Sequence, residues 1–363
     1  MALHRTPVRQ ELLEQLRGQE LRIPDLRLMF KHWPMDINTQ LESIRASVPN
    51  RISSLTESAQ KQRLLTKIDS GLFSSTWWPG ATLADGDILS CLALWLFIWD
   101  DEVDAEVGDL SSDFQAAQTF RRETIEYVRH CLGLNEVGCV TREPPESKII
   151  AFFKVIGDAS CQAYDVDKRY LERRELLFRE LEFFMKTSEV EQKRRLSPDL
   201  SSVEEYVETR MGTSAVNVTS FFNEYAYRVS LPIKVLTDPY MKVVWDKTNI
   251  IIWATNDLLS LKKEVGQQTV DSIVPLLFRE FGSLDLAVSM VVETIEKAVE
   301  DFDYAAYILT ERYSGDESLI GNLKTYINAC RLNCTGNLNW SLQTGRYGVS
   351  KHTIAGGVMM RLE

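Results

Sequence analysis

The mostly apolar run at residues 88–99 stops abruptly at Asp100-Asp101-Glu102-Val103-Asp104. A second apolar stretch, residues 250–254, leads into Asn256-Asp257-Leu258-Leu259-Ser260-Leu261-Lys262-Lys263-Glu264. An apolar segment that ends in a charge cluster has few folded solutions. The apolar part must be buried, and the charged end must reach water, a counter-ion or a ligand. Read as helices, residues four apart share a face. Asp100 and Asp104 then point one way, and Asn256, Ser260 and Glu264 line up over two turns, about 12 Å at 1.5 Å per residue. All these side chains offer oxygen, the donor that hard divalent cations such as Mg²⁺ take. Two oxygen-rich rims above apolar helices predict a metal-diphosphate site at the mouth of an apolar pocket. Alone, the first cluster also reads as a solvated acidic turn and the second as an exposed helix end.

Helical periodicity recurs along most of the chain, while period-2 alternation is rare. One stripe is Phe120, Thr124, Val128 and Cys131. Another opens with Ile149, Phe152, Phe153, Ile156, Ala163 and Tyr164 and is expected to run to Phe184. A third joins Leu284, Ala287, Val291, Ile295, Ala298, Phe302 and Leu309, and a fourth Leu319, Leu323, Tyr326, Ile327 and Cys330. Breakers are expected at residues 133–145, 187–198, 237–239 and 266–269. Ser202 and Glu205 fit a capping box that opens a helix. With no repeat, low-complexity linker or composition shift, the expectation is all-α: one domain over residues 1–363, a bundle of about ten helices around a deep apolar pocket. Its core spans about residues 21–349, with loosely held ends at 1–20 and 350–363.

At 363 residues and 44% hydrophobic, the chain has ample material for a core. A net charge of −11 argues against nonspecific nucleic-acid binding, which relies on basic surface. Any anionic substrate must therefore be held by local cations. The six cysteines (91, 131, 139, 161, 330, 334) form no CxxC framework, and a disulfide between Cys330 and Cys334 is disfavoured. The four histidines (4, 32, 130, 352) are scattered, so zinc has no support. No stretch approaches the roughly 20 apolar residues of a membrane span, and the start lacks a signal-peptide profile. A soluble, reducing, cytoplasmic setting is expected.

Two further features carry charge. The stripe Val203, Val207, Arg210, Ser214, Asn217, Phe221, Tyr225 places Arg210 on a mostly inward face. A buried guanidinium needs an anionic partner, either phosphate oxygens that fit its planar fork or a core carboxylate. Gly212-Thr213-Ser214, just after it, weakens the helix and predicts a local break. Near the end, Trp340 precedes the adjacent Arg346 and Tyr347, a charged fork beside a hydroxyl donor.

Together these motifs resemble the class I terpene synthases, in their single-domain fungal form. The Asp-rich motif is Asp100 to Asp104. The pattern N/D-D-x-x-S/T-x-x-K-E is matched by Asn256, Asp257, Ser260, Lys263 and Glu264, and W-x5-R-Y by Trp340, Arg346 and Tyr347. Members carry a diphosphate-sensing arginine 46 residues before the second motif, the position of Arg210. On that alignment Thr213 matches the linker position and Ser214 the effector at the helix break; the effector is more often glycine in bacterial relatives. The resemblance implies three Mg²⁺ ions clamping the diphosphate of a linear isoprenyl substrate, held by Asp100, Asp104, Asn256, Ser260 and Glu264. Arg210, Lys263, Arg346 and Tyr347 would donate to the diphosphate. Phe97, Phe221, Trp253 and Trp340, then Trp95, Trp99, Phe153 and Phe222, are the aromatics expected to line the cavity, where ring faces stabilise carbocations. A C15 substrate, farnesyl diphosphate, and a monomer or homodimer are expected. The alternatives are a C20 cyclase, an isoprenyl chain-elongating synthase, which would need a second DDxxD, and a non-enzymatic helical scaffold.

Overall fold

A computed structural model describes residues 7–104, 108–135, 143–163 and 169–363. Cys139, Tyr164 and His4 lie outside the described residues. The helices are α1 (Pro7–Leu16), α2 (Leu41–Leu55), α3 (Ala59–Ile68), α4 (Ser70–Trp77), α5 (Leu83–Val103), α6 (Phe114–Cys131), α7 (Lys148–Ala163) and α8 (Arg169–Leu196). They continue as α9 (Val203–Thr213), α10 (Val216–Phe221), α11 (Asn223–Tyr227), α12 (Ile233–Leu236), α13 (Pro239–Gly266), α14 (Ile273–Phe281), α15 (Leu284–Arg312) and α16 (Glu317–Gln343). Three short strands accompany them: β1 (Glu20–Pro24), β2 (Thr353–Ile354) and β3 (Gly357–Arg361). The chain is all-α in class, as its periodicity predicts.

Two helices form the middle of the bundle. Leu89, Cys91, Leu92, Ala93, Leu94 and Trp95 are all sequestered on α5, so that helix is apolar all round and must be central. It packs on α4, α7 and α2, while α13 packs on α15 and α16. Asp238 caps α13 by accepting from Tyr240 N, with Pro239 at the first helical position, where its missing N–H costs nothing. The α16–α4 contact is close because Gly336 has no side chain: a Cβ there would lie 2.2 Å from Thr76 O. Ser202 and Glu205 form the expected capping box at the start of α9.

Three expectations need correction. The apolar stripe from Ile149 to Phe184 is carried by two helices, α7 and α8, and not by one. Residues 187–196, read as a breaker, continue α8 for almost three more turns. That segment holds no Gly or Pro, and Thr187 Oγ1 bonds back to the Phe183 and Phe184 carbonyls, so its hydroxyl joins the helix. The described parts of the ends read as loosely held, residues 7–20 and 350–363, are pinned. β1 pairs antiparallel with β3, Leu21 opposite Met360 and Ile23 opposite Val358, and β3 pairs with β2. Those four side chains face inward by strict alternation, a signal hidden by the shortness of the strands. Leu12, Leu13 and Leu16 of α1 are buried as well. The five described cysteines are all free, and no described helix is long and apolar enough to cross a membrane.

Candidate active site

The last turn of α5 is electrostatically unfavourable. It holds Asp100, Asp101 and Glu102, with Asp104 as C-cap and no basic residue, where the helix dipole already concentrates negative charge. Such a conflict persists only where something compensates it. Asp101 is compensated by Arg346, which donates to its two oxygens at 2.9 and 2.6 Å. Burial raises the Asp101 pKa, but the guanidinium outweighs this and holds it below the usual value. Asp104 pairs with Arg195 at 3.1 Å. The Asp100 carboxylate makes no hydrogen bond or ion pair with the described residues. Burial, then Asp104 and Asp101, push it up to about 7.

Facing it across one cavity is the end of α13. Asp100, Asp104, Asn256, Ser260 and Glu264, the five oxygen donors picked out by spacing, all line this cavity, as do Arg210, Thr213, Ser214, Lys263, Arg346 and Tyr347. Ser260 Oγ donates to Glu264 Oε1, and Ser272 Oγ donates to Glu264 Oε2 at 2.8 Å. Asn256 Nδ2 donates to the Tyr347 hydroxyl. Arg210 Nη2 donates to Asn256 Oδ1 at 2.9 Å and to Asp257 Oδ1 at 3.0 Å. Asp257 also accepts from Tyr206, so it is the core carboxylate that holds the buried arginine. Lys263 sits 5.8 Å over the Tyr347 ring, and burial, then Arg346, lower its pKa. Among the described residues no three His, Cys, Asp or Glu side chains already converge on one point. The acids stand on opposite walls, close to cations.

The helix break lies where propensity puts it. α9 ends at Thr213, and Ala215 adopts left-handed φ +55° before α10 resumes. Asn249 of α13 steadies the break: it accepts from Ser214 Oγ at 2.7 Å and donates to Met211 O at 2.8 Å. Thr213 Oγ1 donates to Glu191 Oε1 at 3.3 Å.

Below the charged rim the walls are apolar. Phe97, Trp253 and Trp340 line them, as expected. Phe97 packs 5.3 Å from Trp340, and Arg346 lies 5.0 Å over the Phe97 ring. Phe221 does not line the cavity; it is buried against Phe222, their rings 6.0 Å apart. The 3.6-residue period that selected it was extended across the turn at Ala215, where register is lost. Trp95, Trp99, Phe153 and Phe222 are core residues too: Trp95 donates to Ile149 O and Trp99 to Thr124 Oγ1. Sequence reasoning missed Phe73, Trp77, Phe184, Glu191 and Tyr206, all in the lining. Two of these left a signal: Tyr206, one turn beyond Val203 on an inward stripe, and Phe184, the expected end of the apolar stripe from Ile149. Glu191 was hidden by reading its segment as a breaker. Burial, then Asp104, push its carboxyl up to about 8.

These residues suit both a cation and an anion. Asp100 is a carboxyl crowded by carboxylates, a conflict that a cation relieves. Arg210 and Arg346 each keep a buried Nε–H without a partner among the described residues, donor capacity beyond what their carboxylates use. The model of "Terpene synthase family 2, C-terminal metal binding" matches residues 91–301, which include both acidic motifs and Arg210. The sesquiterpene cyclase hepA of Aspergillus oryzae is 34% identical over 94% of this chain and 92% of its own length. The silphinene synthase peniA of Penicillium patulum is 25% identical over 93% of this chain and 89% of its own. Among solved structures, the linalool/nerolidol synthase of Streptomyces clavuligerus, crystallised with 2-fluorogeranyl diphosphate, superposes with TM-score 0.70 at 17% identity, covering 87% of this chain and 98% of that one. An α-eudesmol synthase does so with TM-score 0.71 at 19% identity, covering 86% and 97%. A family model that takes in both walls of the cavity, and a cyclase this similar from end to end, make the chain a member of the terpene synthase family and a terpene cyclase.

Proposed function

We propose that the protein ionises farnesyl diphosphate with Mg²⁺ and cyclises the resulting cation to a sesquiterpene hydrocarbon or alcohol. The C–O bond breaks heterolytically; diphosphate leaves with the electron pair, and the allylic carbocation closes into rings. The sequence ends when a ring cation gives up a proton or takes up water and then loses one. Asp100 and Asp104 on one wall, and Asn256, Ser260 and Glu264 on the other, supply the oxygen donors for the metal, three ions by the family resemblance. Mg²⁺ held by these residues would supply positive charge against that developing on the departing diphosphate. Arg210, Lys263, Arg346 and Tyr347 donate hydrogen bonds to the same oxygens, fixed in advance and worth most where water is excluded. Thr213 and Ser214, at the break beside Arg210, couple diphosphate binding to the start of α10. Phe97, Trp253 and Trp340 offer ring faces to the cation without attacking it.

The observation that carries this reading is that two oxygen-rich walls line one cavity with aromatic residues below them, Arg346 bonded to the first wall and Arg210 to the second. The C15 length is supported by the similarity to sesquiterpene cyclases. Purified protein incubated with C10, C15, C20 and C25 diphosphates and Mg²⁺, then analysed by gas chromatography–mass spectrometry, tests it. A cyclic C15 product that disappears with EDTA is expected. Cyclic product from the C20 substrate alone would overturn the substrate assignment. Longer linear diphosphates would favour chain elongation, and no product from any substrate would overturn the reading.

A further inference from the structure

The cyclase reading uses nothing N-terminal to Phe73, yet a buried arginine in α1 is tied to the cavity mouth. Arg9 is 8% exposed. Its Nε donates to both oxygens of Asp271, at 3.1 and 3.0 Å, and its Nη2 donates to Oδ1 at 2.8 Å. The same guanidinium donates to three carbonyls just past or within the end of α8: Ser197 O at 2.7 Å, Arg194 O at 3.0 Å and Asp199 O at 3.0 Å. The buried Leu12, Leu13 and Leu16 anchor the helix that carries it.

Both partners of Arg9 lead to the acidic walls. Asp271 lines the cavity beside Ser272, whose hydroxyl holds Glu264 at 2.8 Å. The loop between them and α13 contains Gln268 at φ +65°, a left-handed conformation that persists only when its surroundings impose it. On the other side, Arg195 pairs with Asp104 and donates to Val103 O at 2.9 Å. Arg194 donates to Glu205 O at 2.6 Å and to Thr209 Oγ1, on the helix that carries Arg210. A continuous path therefore runs from Asp104 through Arg195 and the end of α8 to Arg9, then through Asp271 and Ser272 to Glu264.

We propose that Arg9 is a positioning residue: it braces the two acidic walls against each other from behind and sets the separation at which they grip a metal-bound diphosphate. It touches neither substrate nor metal. The proposal rests on the diphosphate reading above, and its test separates the two. In Arg9→Met, hydrogen exchange at residues 267–272 of the ligand-free protein should speed up about tenfold while α5 and α16 keep their protection. Calorimetric affinity for inorganic diphosphate with Mg²⁺ should fall about tenfold, the size seen when groups behind metal ligands are removed. Asp271→Asn should show the same two changes and serves if Arg9→Met folds poorly. The double variant should be no worse than either, because the two act through one link. Arg9→Lys, with charge but no fork, should recover only part of the affinity. Unchanged loop exchange and affinity, with only a lowered melting temperature, would overturn the brace and leave the cyclase reading intact; additive effects of the two substitutions would also overturn it. Conversely, a wild-type protein that binds magnesium diphosphate through this brace yet turns over no isoprenyl substrate would overturn the cyclase reading alone.

Discussion

Arg346 and Asp101 lie 245 residues apart and are joined by two parallel hydrogen bonds at the rim of the cavity. The arginine proposed for diphosphate is thus held by a motif aspartate whose pKa its guanidinium keeps below the usual carboxylate range. Both side chains are mostly buried, at 14% and 20% exposure. Asp101→Asn keeps the shape and removes the charge. It should destabilise the ligand-free protein by about 2 kcal/mol, the range for a hydrogen bond to a charged group. Chemical denaturation measures this. Added Mg²⁺ and diphosphate should shrink the difference, because the anion then partners Arg346. A difference that ligand leaves unchanged would exclude that exchange of partners.

The acidic cluster also makes a pH prediction. Burial, then neighbouring carboxylates, raise Asp100 to about 7, and burial, then Asp104, raise Glu191 to about 8. An acid with a raised folded pKa binds its proton more tightly folded than unfolded. Stability therefore falls as pH rises from about 4, where unfolded carboxyls ionise, through those folded values. The melting temperature of metal-free protein should decline between pH 5 and 8. An Asp100→Asn, Glu191→Gln double variant should lose most of that slope, and saturating Mg²⁺ with diphosphate should flatten it in the wild type. A melting temperature that rises over this range would contradict the shifts.

Gly212 sits where α9 crosses α8, and a Cβ there would lie 2.2 Å from Thr187 Oγ1 and 2.8 Å from Thr187 Cβ. Thr187 is β-branched and its hydroxyl is tied to α8 carbonyls, so it yields little. Gly212→Ala should cost about 1–3 kcal/mol by overpacking. It should also displace Arg210, two residues earlier, and raise KM for the diphosphate substrate. Adding Thr187→Ala removes the hydroxyl and methyl and should restore part of both losses. If the double variant is no better than Gly212→Ala, the contact with Thr187 is not the cause.

Much of this arrangement was legible because it is local. Each acidic motif announces itself by spacing on its own helix, and the break after Arg210 by the poor propensity of Gly212-Thr213-Ser214. Helix class followed from periodicity, and the capping box at Ser202 from four residues. What stayed hidden depends on distant pairing or on register. β1 and β3 meet only because the two ends of the chain are brought side by side. Phe73 reaches the cavity because α4 packs on α5 and α16, and Glu191 because α8 runs on past Thr187. Phe221 misled because a helical stripe keeps its meaning only while the helix is unbroken, and the left-handed turn at Ala215 rotates everything after it.

That difference between Phe73 and Phe221 yields a direct comparison. Phe73 lines the cavity, stacked on Trp77 at 4.4 Å and edge-on to Trp340 at 5.2 Å. Phe221 is equally sequestered but lies behind the wall. Changing either to Leu removes similar buried volume and should cost each about 1 kcal/mol of stability. Only Phe73→Leu removes a ring face from the chamber. A cation–π contact of about 1 kcal/mol selects between competing carbocations by about fivefold. Product ratios from Phe73→Leu should therefore shift by about that factor, with Mg²⁺ dependence unaltered, whereas Phe221→Leu should keep the wild-type product profile. Equal shifts in the two variants would mean that the ring faces act through general packing, and that cation contact does not select the product.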